Sequence, residues 1–172
     1  MRVLGIDLSA NETNASAIAT YEDGKIRTFT MYKDKDLMDI ISKFKPEVIA
    51  IDAPLHTVEK PFRAAEKEIQ HLGYHLLPLN MPGMRALAKR ASSIRYALEG
   101  TTKVIECHPA STRKVLGIED PRKLKNVRFL NIIKNKHEED AIFAALTAVF
   151  YSEGNYDQFG DEEEGYIILP KV

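Results

Sequence analysis

Apolar residues fall along this chain in two rhythms. Val3-Leu4-Gly5-Ile6-Asp7, Val48-Ile49-Ala50-Ile51-Asp52 and Val104-Ile105-Glu106 are short, mostly β-branched runs without polar alternation. Such runs mark strands buried on both faces of a largely parallel sheet. Residues 2–7 read as the first strand, and 15–21 with 25–32 as a hairpin turned by Asp23-Gly24, a pair suited to positive backbone angles. A helix over 35–44 stops before Pro46 and leads into a strand over 47–52, a right-handed crossover. A helix over 61–72 opens at Pro61 and closes at Gly73. The passage Leu77–Gly83, with two prolines, reads as surface loop, and a helix over 84–98, a strand over 102–106 and a helical or mixed region over 109–134 follow.

The last helix starts after Asn135, an N-cap residue, with Glu138 placed to complete a capping box. Ala141, Ala144, Ala145 and Ala148 recur at helical spacing, so this helix can lie very close to the sheet. The tail segment Tyr166-Ile-Ile-Leu169 is apolar enough to dock. Together these elements predict one α/β domain over 1–172: a mixed five-stranded sheet of order 3-2-1-4-5, strand 2 antiparallel, helices on both faces.

Four carboxylates sit where apolar runs end or a helix begins: Asp7, Asp52, Glu106 and Asp140. Ligands of such sheets gather beyond the carboxyl ends of the strands. Acids brought together there repel one another unless a cation lies among them. Magnesium and manganese prefer oxygen ligands, so these four residues are the expected metal ligands and catalytic groups. Taken singly, each acid is more simply explained as a cap on the following turn or helix, and only the set of four favours a site.

Composition narrows the class without naming the chemistry. The 172 residues are 44% hydrophobic and 28% charged, with a formal net charge of −1, which fits one globular domain. Cys107 is the only cysteine, so no disulfide framework or cysteine metal cluster is expected; it reads as a small buried hydrophobe. No signal peptide or membrane-spanning run is apparent, and a soluble, cytoplasmic protein is the expectation. Walker loop, dinucleotide fingerprint and zinc spacing are all missing. The small net charge hides segregation. Residues 85–95 carry Arg85, Lys89, Arg90 and Arg95 without an acid, residues 111–136 are strongly basic, and residues 153–164 are acidic. Basic segments of this kind either follow a phosphate backbone or form solvated helix faces.

A strand ending in Asp, a hairpin, a crossover helix, a second acid-ending strand and a late helix bearing Asp form the RNase H-like order. The chain also resembles the predicted nucleases grouped as domain of unknown function 429. Gly5-Ile6-Asp7, Ile51-Asp52-Ala53-Pro54, Arg63-Ala64-Ala65-Glu66 before Gly73, Glu106-Cys107-His108-Pro109, Asp140-Ala141 and Gly165-Tyr-Ile-Ile-Leu-Pro170 carry the resemblance over nearly the whole length. It implies an RNase H-like fold related to Holliday-junction resolvases and a metal-dependent nuclease activity, without a particular substrate. One position departs: relatives often have an acid three residues before the helix Asp, where this chain has His137.

Accessory residues follow from position. His108 lies just past Glu106 and is placed for capping and packing or for proton transfer. Cys107 and His108 point to opposite faces of an extended chain and cannot form a nucleophile–base pair. His137 and Glu139 flank Asp140 as helpers. Arg63 is placed to pair with Glu66 or Glu59 or to meet a substrate phosphate. Ser9 and Asn11 form a polar loop after Asp7, explained by turn chemistry or substrate contact. The leading function is a nuclease using Mg2+ or Mn2+ on DNA or RNA, with no membrane partner and with monomer and dimer both open. The alternatives are a non-catalytic nucleic-acid- or protein-binding module and an ATPase- or kinase-like phosphotransferase. The last normally needs two such domains and glycine-rich phosphate loops.

Overall fold

A computed structural model describes all residues 1–172 and contains one mixed sheet with helices on both faces. β1 (Arg2–Asp7), β2 (Ser16–Glu22) and β3 (Lys25–Met31) form an antiparallel meander. Asp23 and Gly24 link the last two with φ of 47° and 80°, the positive angles that a two-residue hairpin turn requires. Helix α1 (Asp34–Phe44) then crosses to β4 (Val48–Ile51), which pairs parallel to β1. Helices α2 (Ala64–His71) and α3 (Pro82–Leu98) precede β5 (Lys103–Cys107), parallel to β4. The core order β3-β2-β1-β4-β5 is the one the strand patterns predict.

The sheet has eight strands rather than five. After α4 (Pro109–Leu116), the mixed region yields a short 3-10 turn, Pro121–Lys123, and β6 (Arg128–Phe129), which extends the β3 edge. Helix α5 (Lys136–Ser152) is followed by β7 (Tyr156–Asp161) and β8 (Gly165–Pro170). The docking tail is therefore a strand: β8 lies beside β5, with β7 antiparallel outside it. The acidic character of residues 153–164 hid β7, because an outer strand needs no apolar run.

Side-chain alternation divides the core. Leu4, Ile6, Ile49 and Ile51 pack against α1 and α3 through Leu37, Ile41, Ala91 and Ile94. Val3, Ala17, Ala19, Ala50 and Ile105 face α5. Gly5 sets how near α5 comes. A Cβ built there would stand 2.2 Å from both Ala141 O and Ala145 N. The alanines of α5 and this glycine thus let backbone approach backbone, which brings the helix start up to the end of β1. Asn135 caps α5 by accepting from Glu138 N at 2.9 Å. The Glu138 side chain does not close a capping box. It is fully buried and accepts from Thr28 Oγ1 at 2.9 Å, Thr30 Oγ1 at 3.1 Å and Lys134 N at 2.8 Å. Those bonds satisfy a buried carboxylate while tying the first turn of α5 to β3.

Candidate functional site

Asp7 is the last residue of β1, and Asp52 follows β4 directly. The Asp52 N–H donates to Ile6 O at 2.9 Å, which prolongs the β1–β4 ladder and holds the two acids side by side. Ile51 pairs with Glu106 across β4 and β5, so the third acid stands on the same edge. Asp140, one turn into α5, arrives from the helix layer. A cavity of about 210 Å3 opens here, with Asp7, Asp52, Glu106 and His108 among its polar lining and Leu76, Leu79, Met84 and Leu87 on its apolar side.

Asp7 and Asp52 are raised by burial and by their acidic neighbours. The Asp52 carboxyl is held well above the usual carboxylate range, first by burial and then by the charges of Asp7, Asp140 and Glu106. Asp7 is also raised, by burial and by Asp140, against the lowering pull of its hydrogen bond with His137. No group of three or more His, Cys, Asp and Glu side chains encloses a ready-made metal position. Two of the acids are instead met by basic side chains. His137 Nδ1 lies 2.7 Å from Asp7 Oδ2, and Arg113 donates to Asp140 Oδ1 at 2.5 Å. Arg113 is 4% exposed and lies over the Phe143 ring at 4.3 Å. The sequence reading missed Arg113, since nothing local links α4 to a residue 27 positions on.

Glu106 has a separate attachment. Arg63, fully buried, donates to both its oxygens, at 2.5 and 3.0 Å, and to both oxygens of Glu66. Leu55 N adds a bond to Glu106 at 3.3 Å. The Glu106 carboxyl is pushed up to about 7, because burial and the Glu66 charge outweigh Arg63. Arg63 therefore serves two buried acids and does not reach out to a phosphate. Its pairing with Glu66 was legible from i,i+3 spacing; the one with Glu106 joins residues 43 apart.

A hard divalent cation suits part of this donor set. Asp52 follows β4 with raised protonation and accepts no side-chain hydrogen bond, while Asp7 and Asp140 each have one oxygen held by a basic group. Neutralising this cluster is what such a cation does. Glu106 offers no comparable vacancy, since both oxygens already accept from Arg63.

The accessory residues divide. His108 is N-cap of α4, with Nδ1 2.6 Å from Ser111 Oγ, and burial lowers its pKa to about 4, so it is neutral at neutral pH. It stays at the cavity wall as a neutral hydrogen-bonding group. Glu139 turns to Arg122, 2.9 Å away. Cys107 is buried, with its thiol pushed well up by burial and by neighbouring acids, as an inert hydrophobe requires. Ser9 and Asn11 follow turn chemistry: Ser9 Oγ donates to Asn11 O and Asn14 O, and Asn11 Oδ1 accepts from Thr13. Within the basic segments, Arg90 is buried and donates to Asp34, Ser9 O, Asn11 O and Tyr32 O, pinning the loop after Asp7. Lys89, Lys123, Lys125 and Arg128 remain exposed.

No protein-family model matches the chain, and no curated protein does. Among solved structures, the fold is similar to T. thermophilus RuvC in complex with a Holliday junction substrate. The TM-score is 0.52 at 14% identity, over 90% of this chain and 96% of that one. At that identity the likeness shows the fold alone, an RNase H-like α/β topology. No helix is long and apolar enough to cross a membrane.

Proposed function

We propose that residues 1–172 form a single RNase H-like domain that hydrolyses phosphodiester bonds of nucleic acid with Mg2+ or Mn2+, held by Asp7, Asp52 and Asp140. Membership in the domain of unknown function 429 group is part of this reading and rests on the separated motifs around Asp7, Asp52, Glu106 and Asp140. The observation that carries it is the placement of Asp52, which the β1–β4 ladder sets beside Asp7 on the wall of the carboxylate cavity, with its proton affinity raised first by burial and then by Asp7, Asp140 and Glu106. A bound divalent ion supplies the charge that activates a water and neutralises the leaving oxygen. The protein's part is placement. The β1–β4 ladder fixes Asp7 beside Asp52, and Gly5 lets α5 deliver Asp140. Glu106 and Arg63 hold the cavity floor, and His108 contributes a neutral hydrogen-bonding group at its wall. Exposed lysines of the basic segments hold the backbone of DNA or RNA, an attraction that weakens as salt rises.

The basic partners of Asp7 and Asp140 favour a second reading, a non-catalytic binding module in which His137 and Arg113 permanently replace the cation. Cleavage of branched and linear DNA and RNA, at matched salt with each metal, decides between them. Wild type cuts at least one substrate and Asp7→Asn cuts none while still binding it. If wild type cuts none with either metal, the binding module stands; if Asp7→Asn cuts as well as wild type, the assigned site is wrong.

A further inference from the structure

The sheet is open between β5 and β8. The two strands pair only at Glu106–Ile167 and Cys107–Ile168, although β5 begins at Lys103 and β8 at Gly165. The start of β5 is bonded to β4 on one side and faces no strand on the other. A cavity of about 280 Å3 occupies this divergence. Arg95 reaches it from α3 on one face of the sheet, Tyr151 from the end of α5 on the other, and His56, Lys103 and Tyr166 complete the wall.

The chemistry of this opening is unbalanced. Arg95 Nε is buried without a hydrogen-bond partner, and no other buried side-chain nitrogen or oxygen of the chain is left so. A buried donor without an acceptor is costly, more so when charged, so a ligand acceptor accounts for it. Lys103, exposed at the rim, adds a second cation. Of the acids in the wall, Glu106 is already bound by Arg63, and Glu162 is exposed. His56 is held below the usual histidine range by burial and by the nearby charges of Arg95 and Arg63, so it offers a neutral ring.

We propose that the β5–β8 opening is a second binding site, distinct from the carboxylate cavity, which takes a phosphate monoester between Arg95 and Lys103. Two cations suit a dianion, and a guanidinium fork with an ammonium is a common phosphate-binding combination. The cavity has room beyond the phosphate, and Tyr151 and Tyr166 flank the organic part of the ligand. The monoester comes either from a free nucleotide or from the 5′-phosphorylated end of a strand.

Isothermal titration without divalent metal tests this, using adenosine monophosphate, a 5′-phosphorylated thymidine hexanucleotide and its 5′-hydroxyl counterpart. At least one phosphorylated ligand binds, and Arg95→Met weakens it tenfold or more with an unfolding midpoint equal to or above wild type. Lys103→Met, on an exposed residue, gives an independent loss should Arg95→Met fold poorly. Asp52→Asn leaves the affinity unchanged, which separates this site from the carboxylate cavity. Binding of the mononucleotide as tightly as the hexanucleotide identifies a free nucleotide; binding of the phosphorylated hexanucleotide alone identifies a strand end. The site is refuted if none of the ligands binds at millimolar concentration. It is equally refuted if the 5′-hydroxyl strand matches the phosphorylated one while the mononucleotide fails, or if both cation variants bind like wild type.

Discussion

Replacing Arg63 with methionine isolates the most buried electrostatic arrangement in the protein. The guanidinium is fully buried, and Glu66 and Glu106, 1% and 4% exposed, both depend on it. Methionine keeps much of the apolar stem volume and removes the charge, leaving two carboxylates facing each other in the core. Breaking a buried ion pair by deleting one partner costs about 3–5 kcal/mol, and two orphaned acids place this case at the upper end. The orphaned pair can limit its own cost by taking up protons, and that gives the variant a pH signature.

The sign follows from Glu106. Its carboxyl is pushed up to about 7 in the folded wild type, above its ordinary value of 4.5. The folded chain therefore binds a proton that the unfolded chain has released, so this stabilisation is full below 4.5 and is lost as pH rises through 7. Above pH 7 the wild-type contribution is flat. Without Arg63 the folded pKa moves higher still, and the variant goes on losing stability by about 1.4 kcal/mol per pH unit for each carboxyl that keeps its proton. Urea unfolding at pH 5, 7 and 8.5 reads the effect directly. The gap between wild type and Arg63→Met is expected to widen with pH, and Glu106→Gln added to the variant should narrow it at pH 8.5. A gap that is constant from pH 5 to 8.5, or a total loss below about 1 kcal/mol, refutes the reasoning.

Other outcomes test the neighbouring links. Gly5→Ala is expected to destabilise by about 3 kcal/mol or more, because its Cβ meets α5 backbone rather than a flexible side chain; calorimetry that finds less than 1 kcal/mol removes the close-approach argument. Asp52→Asn is expected to raise apo stability at neutral pH, by relieving the repulsion from Asp7, Asp140 and Glu106, and to abolish any rise in melting temperature on adding Mg2+ or Mn2+. A stabilisation by either metal that survives the substitution places the cation elsewhere. His108 is held near 4 in the fold against 6.5 in the unfolded chain, so its contribution is present above 6.5 and is lost as pH falls toward 4, by at most about 3 kcal/mol. That slope opposes the one from Glu106, and an His108→Gln variant with an unchanged acid limb of the unfolding profile shows that burial does not govern this histidine.

The parts of this protein that sequence makes legible are those specified by local repetition. β1, β4 and β5 announce themselves by apolar runs, the hairpin by Asp23-Gly24, and α5 by its alanines, and each falls where the pattern places it. β6 and β7 do not, because an edge strand of two residues and an acidic outer strand bury too little to leave a rhythm. At the candidate site the same division holds. Strand-end position alone identifies Asp7, Asp52 and Glu106, since register follows from the apolar pattern. What each carboxylate is bonded to depends on residues brought in by the fold: Arg63 from the start of α2, Arg113 from α4 and His137 from the first turn of α5. Spacing in sequence carries no trace of those encounters, yet they decide the chemistry. An acid clamped at both oxygens by a buried guanidinium is a structural anchor, whereas Asp52, raised first by burial and then by its neighbours, accepts no side-chain hydrogen bond. Arg113 and His137 act between these extremes, each holding one oxygen of an acid. A metal ion held as proposed beside Asp52 would compete with them for Asp140 and Asp7, and its affinity would then be set by how readily two basic side chains yield as much as by the acids themselves.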